Sequence, residues 1–316
     1  MPPASRRRAA RVARALLRHL GLALLVLVFL GGAAAGSVAW AIRNGMLTVA
    51  AGNPRSASAR LAERRSDRTA GRSAATDALR LACAAAPRSA DEVQRVIQTL
   101  ADGRAAGVPS DAGRSVTVLA VSGDLADRFP AAASMTMVAG RGLLTWNMES
   151  PGNGSTVYHE LVHLTQFRLD AEGQRRLVER LRRAEPASGG PTQIGFTERD
   201  ALDAWKSMHT ILAYGRDPEE AESLYRAVVA ESKSLRRSMP TAPVARMVKA
   251  AEHVIADSSW VSAQKRLALV SWLHQGAPPT SPPKGWGWRD ELQRLAYFEA
   301  MAYAADRRCR TEGLRN

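Results

Sequence analysis

The chain has 316 residues, of which 46% are hydrophobic and 23% are charged, and these ordinary proportions exclude a collagen-like or wholly disordered protein. The net charge of +14 is unevenly distributed, because residues 1–80 contain fourteen Arg and three acidic residues, whereas the remaining 236 residues carry only +3. A nucleic-acid-binding protein carries its basic surface on the folded domain. The charge distribution therefore argues against a nucleic-acid partner.

The N-terminus joins a basic segment to an apolar one. Residues 1–19 contain six Arg, and the run from Leu20 to Ile42 has no charged residue. About 20 apolar residues cross a bilayer as a helix, and Arg on the N-terminal side orients the following chain outward. We therefore predict a cytoplasmic tail at 1–19, a single transmembrane anchor at 20–42 and an extracytoplasmic domain, periplasmic or extracellular. A cleaved signal peptide is the alternative, since Ala39-Trp40-Ala41 fits a cleavage site, and it exports the chain equally.

Residues 43–76 are rich in Ala, Arg, Ser and Gly, a composition that predicts a juxtamembrane linker rather than a packed core. The predicted folded domain is then 77–316. It contains the two cysteines of the chain, Cys83 near its start and Cys309 near its end. In an oxidising compartment this pair favours a disulfide that joins the two ends of the domain, and two separate buried thiols are the alternative.

Hydrophobic periodicity predicts a domain that is mixed at first and helical afterwards. A helix is predicted near 91–100, a strand at 115–121, and a hairpin from two β-prone runs, 135–138 and 143–146, around a Gly-rich centre. Ser155 and Thr156 are good N-cap residues for the next helix. Further helices are predicted from Asp217-Pro218 onward, at 244–255, 264–274 and 290–308. The expected fold class is α+β, mostly helical, with a small sheet beside the helix that Ser155 opens.

That helix carries the sequence HExxH at residues 159–163. Positions i and i+4 lie on one face of a helix, so the imidazoles of His159 and His163 can bind one metal ion together. Glu160 projects beside this face and can take a proton from an activated water and later give it to a leaving amine. Two histidines on an ordinary amphipathic helix are the alternative interpretation.

The segment from His159 to Gln166 resembles the motif helix of the zincin metallopeptidases, and the wider resemblance covers about residues 115–205. It implies a zinc ion, a peptide-hydrolase activity with Glu160 as general base, and an edge strand before the motif helix that pairs with extended substrate. Leu143 to Asn147 is expected to be that strand. The metzincin branch is excluded, because Gln166 and Leu169 stand where it has a glycine and a third histidine. The resemblance is therefore to the gluzincin-like branch, in which a Glu from a later helix is the third ligand.

Two glutamates are candidates for the third ligand. Glu198 lies in an acidic-x-acidic-Ala segment that resembles the one supplying this ligand in several families, although an acid in a first helical turn is also a favourable helix start. Glu299 is the alternative. It lies mid-helix on an apolar face, where an unpaired carboxylate is costly, and it resembles relatives with Ala and Tyr three and four residues later. Glu179 and Glu185 are set aside, since they adjoin an Arg-rich stretch that is typical of a solvated face.

Other roles are less determined. Some gluzincins have an Asp four residues after the third ligand that orients a histidine, but Leu202 and Tyr303 occupy those places here, and Asp200 or Asp203 are the substitutes. A donor for the charge that develops on the carbonyl oxygen is also expected. Three side chains are eligible by chemistry: Tyr297, Tyr303 and His253.

These observations predict a membrane-anchored, extracytoplasmic zinc metallopeptidase that hydrolyses protein or peptide substrates by a zinc-activated water, with Glu160 as general base. One alternative is a catalytically silent scaffold that keeps zinc for structure, although such a site has no use for a base beside the metal. Another is an envelope-binding module of the cell surface, in which the basic stretch 55–80 holds anionic lipid or polymer.

Overall fold

A computed structural model describes residues 47–51, 77, 79–127, 131–138, 140–185, 195–213, 217–273 and 286–313. The predicted basic tail, the predicted anchor at 20–42 and most of the predicted linker lie outside these residues. Among the helices that the model describes, none combines the length and the hydropathy that a membrane span requires.

The described chain is α+β and mostly helical, as predicted. The N-terminal part contains the strands and three short or medium helices: β1 Leu47–Ala51, α1 Ala90–Asp102, α2 Ala112–Ser115, β2 Val116–Val121, α3 Asp124–Asp127, β3 Ala133–Val138 and β4 Arg141–Asn147. The longer helices follow: α4 Gly154–Phe167, α5 Ala171–Ala184, α6 Glu198–Ala213, α7 Pro218–Ser234, α8 Pro243–Ile255, α9 Val261–Leu273 and α10 Trp288–Gly313. The predicted helices and strands of the domain are all present, with bounds that differ by a few residues.

The four strands form one sheet in the order β1-β2-β4-β3. Strands β2 and β4 are parallel, whereas β1 and β3 run antiparallel to their neighbours. The β3–β4 hairpin is the predicted one, and Gly140 in its turn has a φ of 75°, which glycine adopts without strain.

Two expectations about the sheet need correction. Leu143–Asn147 is not the edge strand, because β4 lies between β2 and β3, and the edge beside α4 is Ala133–Val138. Sequence periodicity identifies strands but not their spatial order, so the parallel β2–β4 pairing was not foreseen. In addition, Leu47–Ala51 lies in the predicted linker but forms the other edge strand, paired with β2 from Leu47–Val121 to Ala51–Thr117. A five-residue strand is too short to stand out in an Ala- and Arg-rich segment.

The N-cap of helix α4 lies two residues before Ser155, the first of its two predicted caps. Asn153 is the N-cap, and its side chain accepts hydrogen bonds from the backbone N–H groups of Ser155 and Thr156. The Thr156 hydroxyl accepts in return from the N–H of Asn153, which completes a capping box. The predicted cap residues thus belong to the first turn, and the asparagine before them holds the helix end.

Buried side chains form two large cores. The first packs the sheet against α1 and α4 and includes Trp146, Tyr158 and Leu161. The second lies among the helices α5 to α10 and includes Trp205. Helix α10 belongs to both, because Ala302 and Cys309 lie in the first core and an earlier group of its residues in the second, namely Leu292, Leu295, Ala296, Tyr297, Phe298 and Ala300. The predicted Cys83–Cys309 disulfide is present and joins α10 to the helical segment 79–84.

Candidate metal centre

Helix α4 is buried along most of its length. Its residues Val157, Leu161 and Leu164 pack into the core that contains the sheet and have no exposed surface. His159 and His163 lie on another face of the helix, which meets α10. The Nε2 atoms of the two imidazoles are 3.2 Å apart. The i, i+4 spacing has therefore brought both nitrogens to one point, as the motif predicts.

Glu299, on α10, completes this cluster. Its two carboxylate oxygens lie 3.7 Å from His159 Nε2 and 3.5 Å from His163 Nε2. Among the described residues, His159, His163 and Glu299 form a group whose ligand atoms all lie within 4.8 Å of one another and could hold a metal ion. The structure thus brings Glu299, rather than Glu198, to the two histidines.

The geometry fits a small tetrahedral cation. Zinc binds imidazole nitrogen and carboxylate oxygen at about 2.0–2.1 Å, so two ligand atoms of a tetrahedral site are separated by about 3.4 Å. The two Nε2 atoms are 3.2 Å apart, and Oε2 and Oε1 of Glu299 lie 3.7 and 3.5 Å from His159 and His163 respectively, all near this value. In addition, Glu299 Oε2 is buried and has no hydrogen-bond partner among the described residues. A buried carboxylate oxygen without a partner is costly, and a bound cation would satisfy it.

The charges in the cluster compensate one another. Burial by itself would raise the pKa of Glu299, but His163 and His159 outweigh it and hold the pKa at about 2. Burial likewise opposes the protonation of His159, but the carboxylates of Glu299 and Glu160 outweigh it and raise the pKa above its ordinary value. The carboxylates of Glu299 and Glu160 thus stabilise positive charge at this cluster, whether it is a proton on His159 or a bound cation.

Glu160 lies beside this cluster on the side of the sheet. Its side chain is buried, and burial raises its pKa above the ordinary value with a contribution from Glu299, although His159 and His163 act in the opposite direction. The backbone N–H of Met135, on edge strand β3, hydrogen-bonds to its carboxylate. A buried carboxylate with a raised pKa next to a candidate cation site can accept a proton from a nearby water.

Aromatic and polar side chains surround the cluster. The Tyr303 ring meets the His159 ring edge-on with centroids 4.6 Å apart, and the Phe167 ring stacks on His163 at 5.6 Å. Ser207, on α6, lies within hydrogen-bonding reach of both Glu299 and Tyr303. The imidazole Nδ1 of His163 contacts the side chain of Gln166 at 2.8 Å. Ser207 and Gln166 carry no motif of their own, although the i, i+3 spacing of His163 and Gln166 could have suggested the second contact.

Glu198, the first of the two predicted third ligands, has a different role. It lies half-exposed at the start of α6, and both its oxygens accept hydrogen bonds from the buried guanidinium of Arg246. Glu198 therefore fits the alternative interpretation, an acid in the first turn that favours the helix start, better than the role of a metal ligand.

The substitute acids are likewise engaged elsewhere. Asp200 accepts hydrogen bonds from Thr197 and Arg307, and Asp203 accepts one from Arg199. Glu185 was set aside as part of a solvated face, but it is buried and accepts from the backbone N–H groups of Val244 and Ala245. Glu185 lies at the end of α5 and contacts the start of α8. Helical periodicity does not predict this contact, because it joins two helices that are distant in the sequence.

Comparisons of this chain with protein-family models, with curated proteins and with solved structures found no match.

Proposed function

We propose that this protein is a zinc metallopeptidase, held at the membrane by its apolar segment 20–42, with its domain on the extracytoplasmic side. The observation that carries the proposal is the convergence of His159, His163 and Glu299 beside a buried glutamate of raised pKa. Two imidazoles and a carboxylate with an open fourth position are the donor set of catalytic zinc sites.

Each residue has a defined task in this scheme. The three ligands would hold the zinc ion, which would supply a water of lowered pKa and polarise the scissile carbonyl. Glu160 accepts the proton from the attacking water and passes it to the leaving amine. Its raised pKa suits both steps, because a base whose pKa lies nearer the working pH can also release the proton again.

The sheet supports a peptide as the substrate. Strand β3 is a sheet edge, it packs against α4, and its Met135 N–H reaches Glu160. An extended peptide can add to such an edge through main-chain hydrogen bonds. A peptide bound in this way would have its scissile bond close to Glu160. This role, first expected for Leu143–Asn147, passes to Ala133–Val138. Zincin-type peptidases use an edge strand in this way, and the resemblance of the motif helix to theirs is the second support.

Metal content in matched variants tests the proposal. The full-length chain is purified in detergent as wild type, Glu299→Gln and Glu198→Gln, and zinc is measured by elemental mass spectrometry. We expect about one zinc per wild-type and Glu198→Gln chain, and a loss of affinity of more than about 100-fold in Glu299→Gln. A truncation at residue 77 is unsuitable, because it removes strand β1.

The control for catalysis is Glu160→Gln, which should retain zinc and lose about 10²–10⁴-fold in the rate of peptide hydrolysis. Zinc retained in Glu299→Gln but lost in folded Glu198→Gln would contradict the assignment of the third ligand. A wild-type protein that binds no zinc, even when zinc is supplied, would refute the proposed function.

A further inference from the structure

Gln166 lies on α4 at its contact with α10, the two helices that carry the three candidate ligands. It is completely buried, three residues after His163 on α4. Its carboxamide oxygen is 2.8 Å from Nδ1 of His163, and its carboxamide nitrogen donates to the backbone carbonyl of Phe298 at 3.1 Å. Phe298 is the residue immediately before Glu299. One side chain thus contacts the second histidine and the backbone next to the carboxylate.

The orientation of this carboxamide follows from chemistry. A backbone carbonyl can only accept hydrogen bonds, so the group facing Phe298 has to be the NH₂ of Gln166. The oxygen of Gln166 therefore faces His163, and a carboxamide oxygen can only accept. The opposite orientation would place two acceptor oxygens against each other. Nδ1 of His163 consequently carries a hydrogen, which leaves the lone pair of the neutral imidazole on Nε2, the atom that faces Glu299 and His159.

We infer that Gln166 is a positioning residue, which sets the tautomer of His163 for metal binding and holds the His163 ring in place relative to Glu299. The inference rests on the proposed zinc centre. A ligand histidine is commonly fixed through its second ring nitrogen, and removing such a partner costs about 10–100-fold in metal affinity. Here the partner also holds α10, so the same carboxamide determines the position of two ligands on different helices.

A matched pair of substitutions separates this role from a purely structural one. Gln166→Met keeps the length of the side chain but removes both hydrogen bonds. Gln174→Met is the control, because Gln174 is also buried and makes two hydrogen bonds, to Leu169 and Arg294, and it is absent from the cluster. A third variant, Gln166→Glu, keeps the acceptor for His163 and loses the donor to Phe298.

Zinc affinity of the full-length proteins is measured by competition with a chromophoric chelator, and the melting temperature of the metal-free proteins by circular dichroism. We expect Gln166→Met to lose about 10–100-fold in zinc affinity, whereas Gln174→Met stays within about threefold even if both melt at lower temperature. Gln166→Glu should retain more affinity than Gln166→Met, because a carboxylate still accepts from His163.

Two outcomes would overturn the inference while leaving the zinc site intact. One is a Gln166→Met protein that binds zinc as tightly as wild type. The other is a loss of affinity that is the same in all three variants, or that follows their melting temperatures, since a merely structural role predicts this. Absence of zinc from the wild type would overturn the inference and the proposed function together.

Discussion

At the residue scale, only one of the three side chains that were eligible as a transition-state donor lies against the metal cluster among the described residues. Tyr297 donates its hydroxyl to Glu185 at 2.8 Å, and His253 is half-exposed and contacts Glu231. Tyr303 lies one turn after Glu299 on α10 and against the ring of His159. Burial and the nearby carboxylates of Glu299, Asp203 and Glu160 raise the pKa of Tyr303 well above its ordinary value. Its hydroxyl therefore remains a hydrogen-bond donor throughout the working pH range.

We predict that Tyr303→Phe retains zinc and loses about 10²-fold in kcat, because a donor to the developing oxyanion contributes roughly this much. The ring packing on His159 persists in phenylalanine, so metal content should not change. Steady-state kinetics on a peptide substrate, together with elemental analysis, measure both effects. An unchanged kcat would remove Tyr303 from the mechanism, and zinc loss would assign it a structural role at His159.

At the element scale, one contact region holds the ends of both ligand helices. The disulfide Cys83–Cys309 fastens the C-terminal part of α10 to segment 79–84. The end of this segment touches the start of α4, where the N–H of Gly154 donates to the carbonyl of the next residue, Ala85, at 2.8 Å. A Cβ on Gly154 would lie 1.7 Å from the carbonyl oxygen of Ala82, so the close approach requires glycine at this position. The two helices that carry the metal ligands are therefore fixed against one segment.

We predict that the double variant Cys83→Ser, Cys309→Ser unfolds at a lower temperature, by about 10 °C. The disulfide closes a loop with a sequence separation of 226 residues, and loops of this order contribute about 3–5 kcal/mol through restriction of the unfolded chain. Calorimetry of the variant and of the wild type, each with and without a reducing agent, measures the effect. A reducing agent that lowers the wild-type transition but leaves that of the variant unchanged would attribute the shift to the bond itself.

At the scale of the whole molecule, the candidate metal centre lies where the two cores meet. Helix α4 supplies the histidines from the first core, and α10, which belongs to both cores, supplies Glu299. Within the second core, Glu185 joins the end of α5 to the start of α8 and to Tyr297 on α10. A ligand bound at this junction stabilises contacts in both cores.

We predict that removing the metal lowers the stability of both cores in one transition. Zinc at about 1,000 times its dissociation constant contributes about 4 kcal/mol, which corresponds to a melting-temperature difference of about 10 °C for a domain of this size. Calorimetry of the zinc-loaded and chelator-treated protein measures it, and the fluorescence differences between wild type and Trp146→Phe or Trp205→Phe report on the first and the second core. Two resolved transitions, or a shift in one core alone, would contradict the coupling through α10.

Local patterns in the sequence determined much of this protein. The spacing of His159 and His163 places two imidazoles on one helix face in any helix, and Asp217-Pro218 starts α7 whatever packs around it. The helices, the β3–β4 hairpin and the α+β class follow from periodicity in the same way. The disulfide was also predictable, because the chain has two cysteines and each can pair within the chain only with the other.

The tertiary structure alone decided which distant residues meet. The sequence favoured Glu198 as the third ligand with Glu299 as the alternative, whereas the packing of α10 on α4 brings Glu299 to the histidines and Arg246 holds Glu198. The edge position of β3, the burial of Glu185 and the contact of Gln166 with Phe298 likewise depend on segments far apart in the chain. Local propensity acts over a few residues, whereas these contacts are set by how the two cores pack, so no local pattern records them.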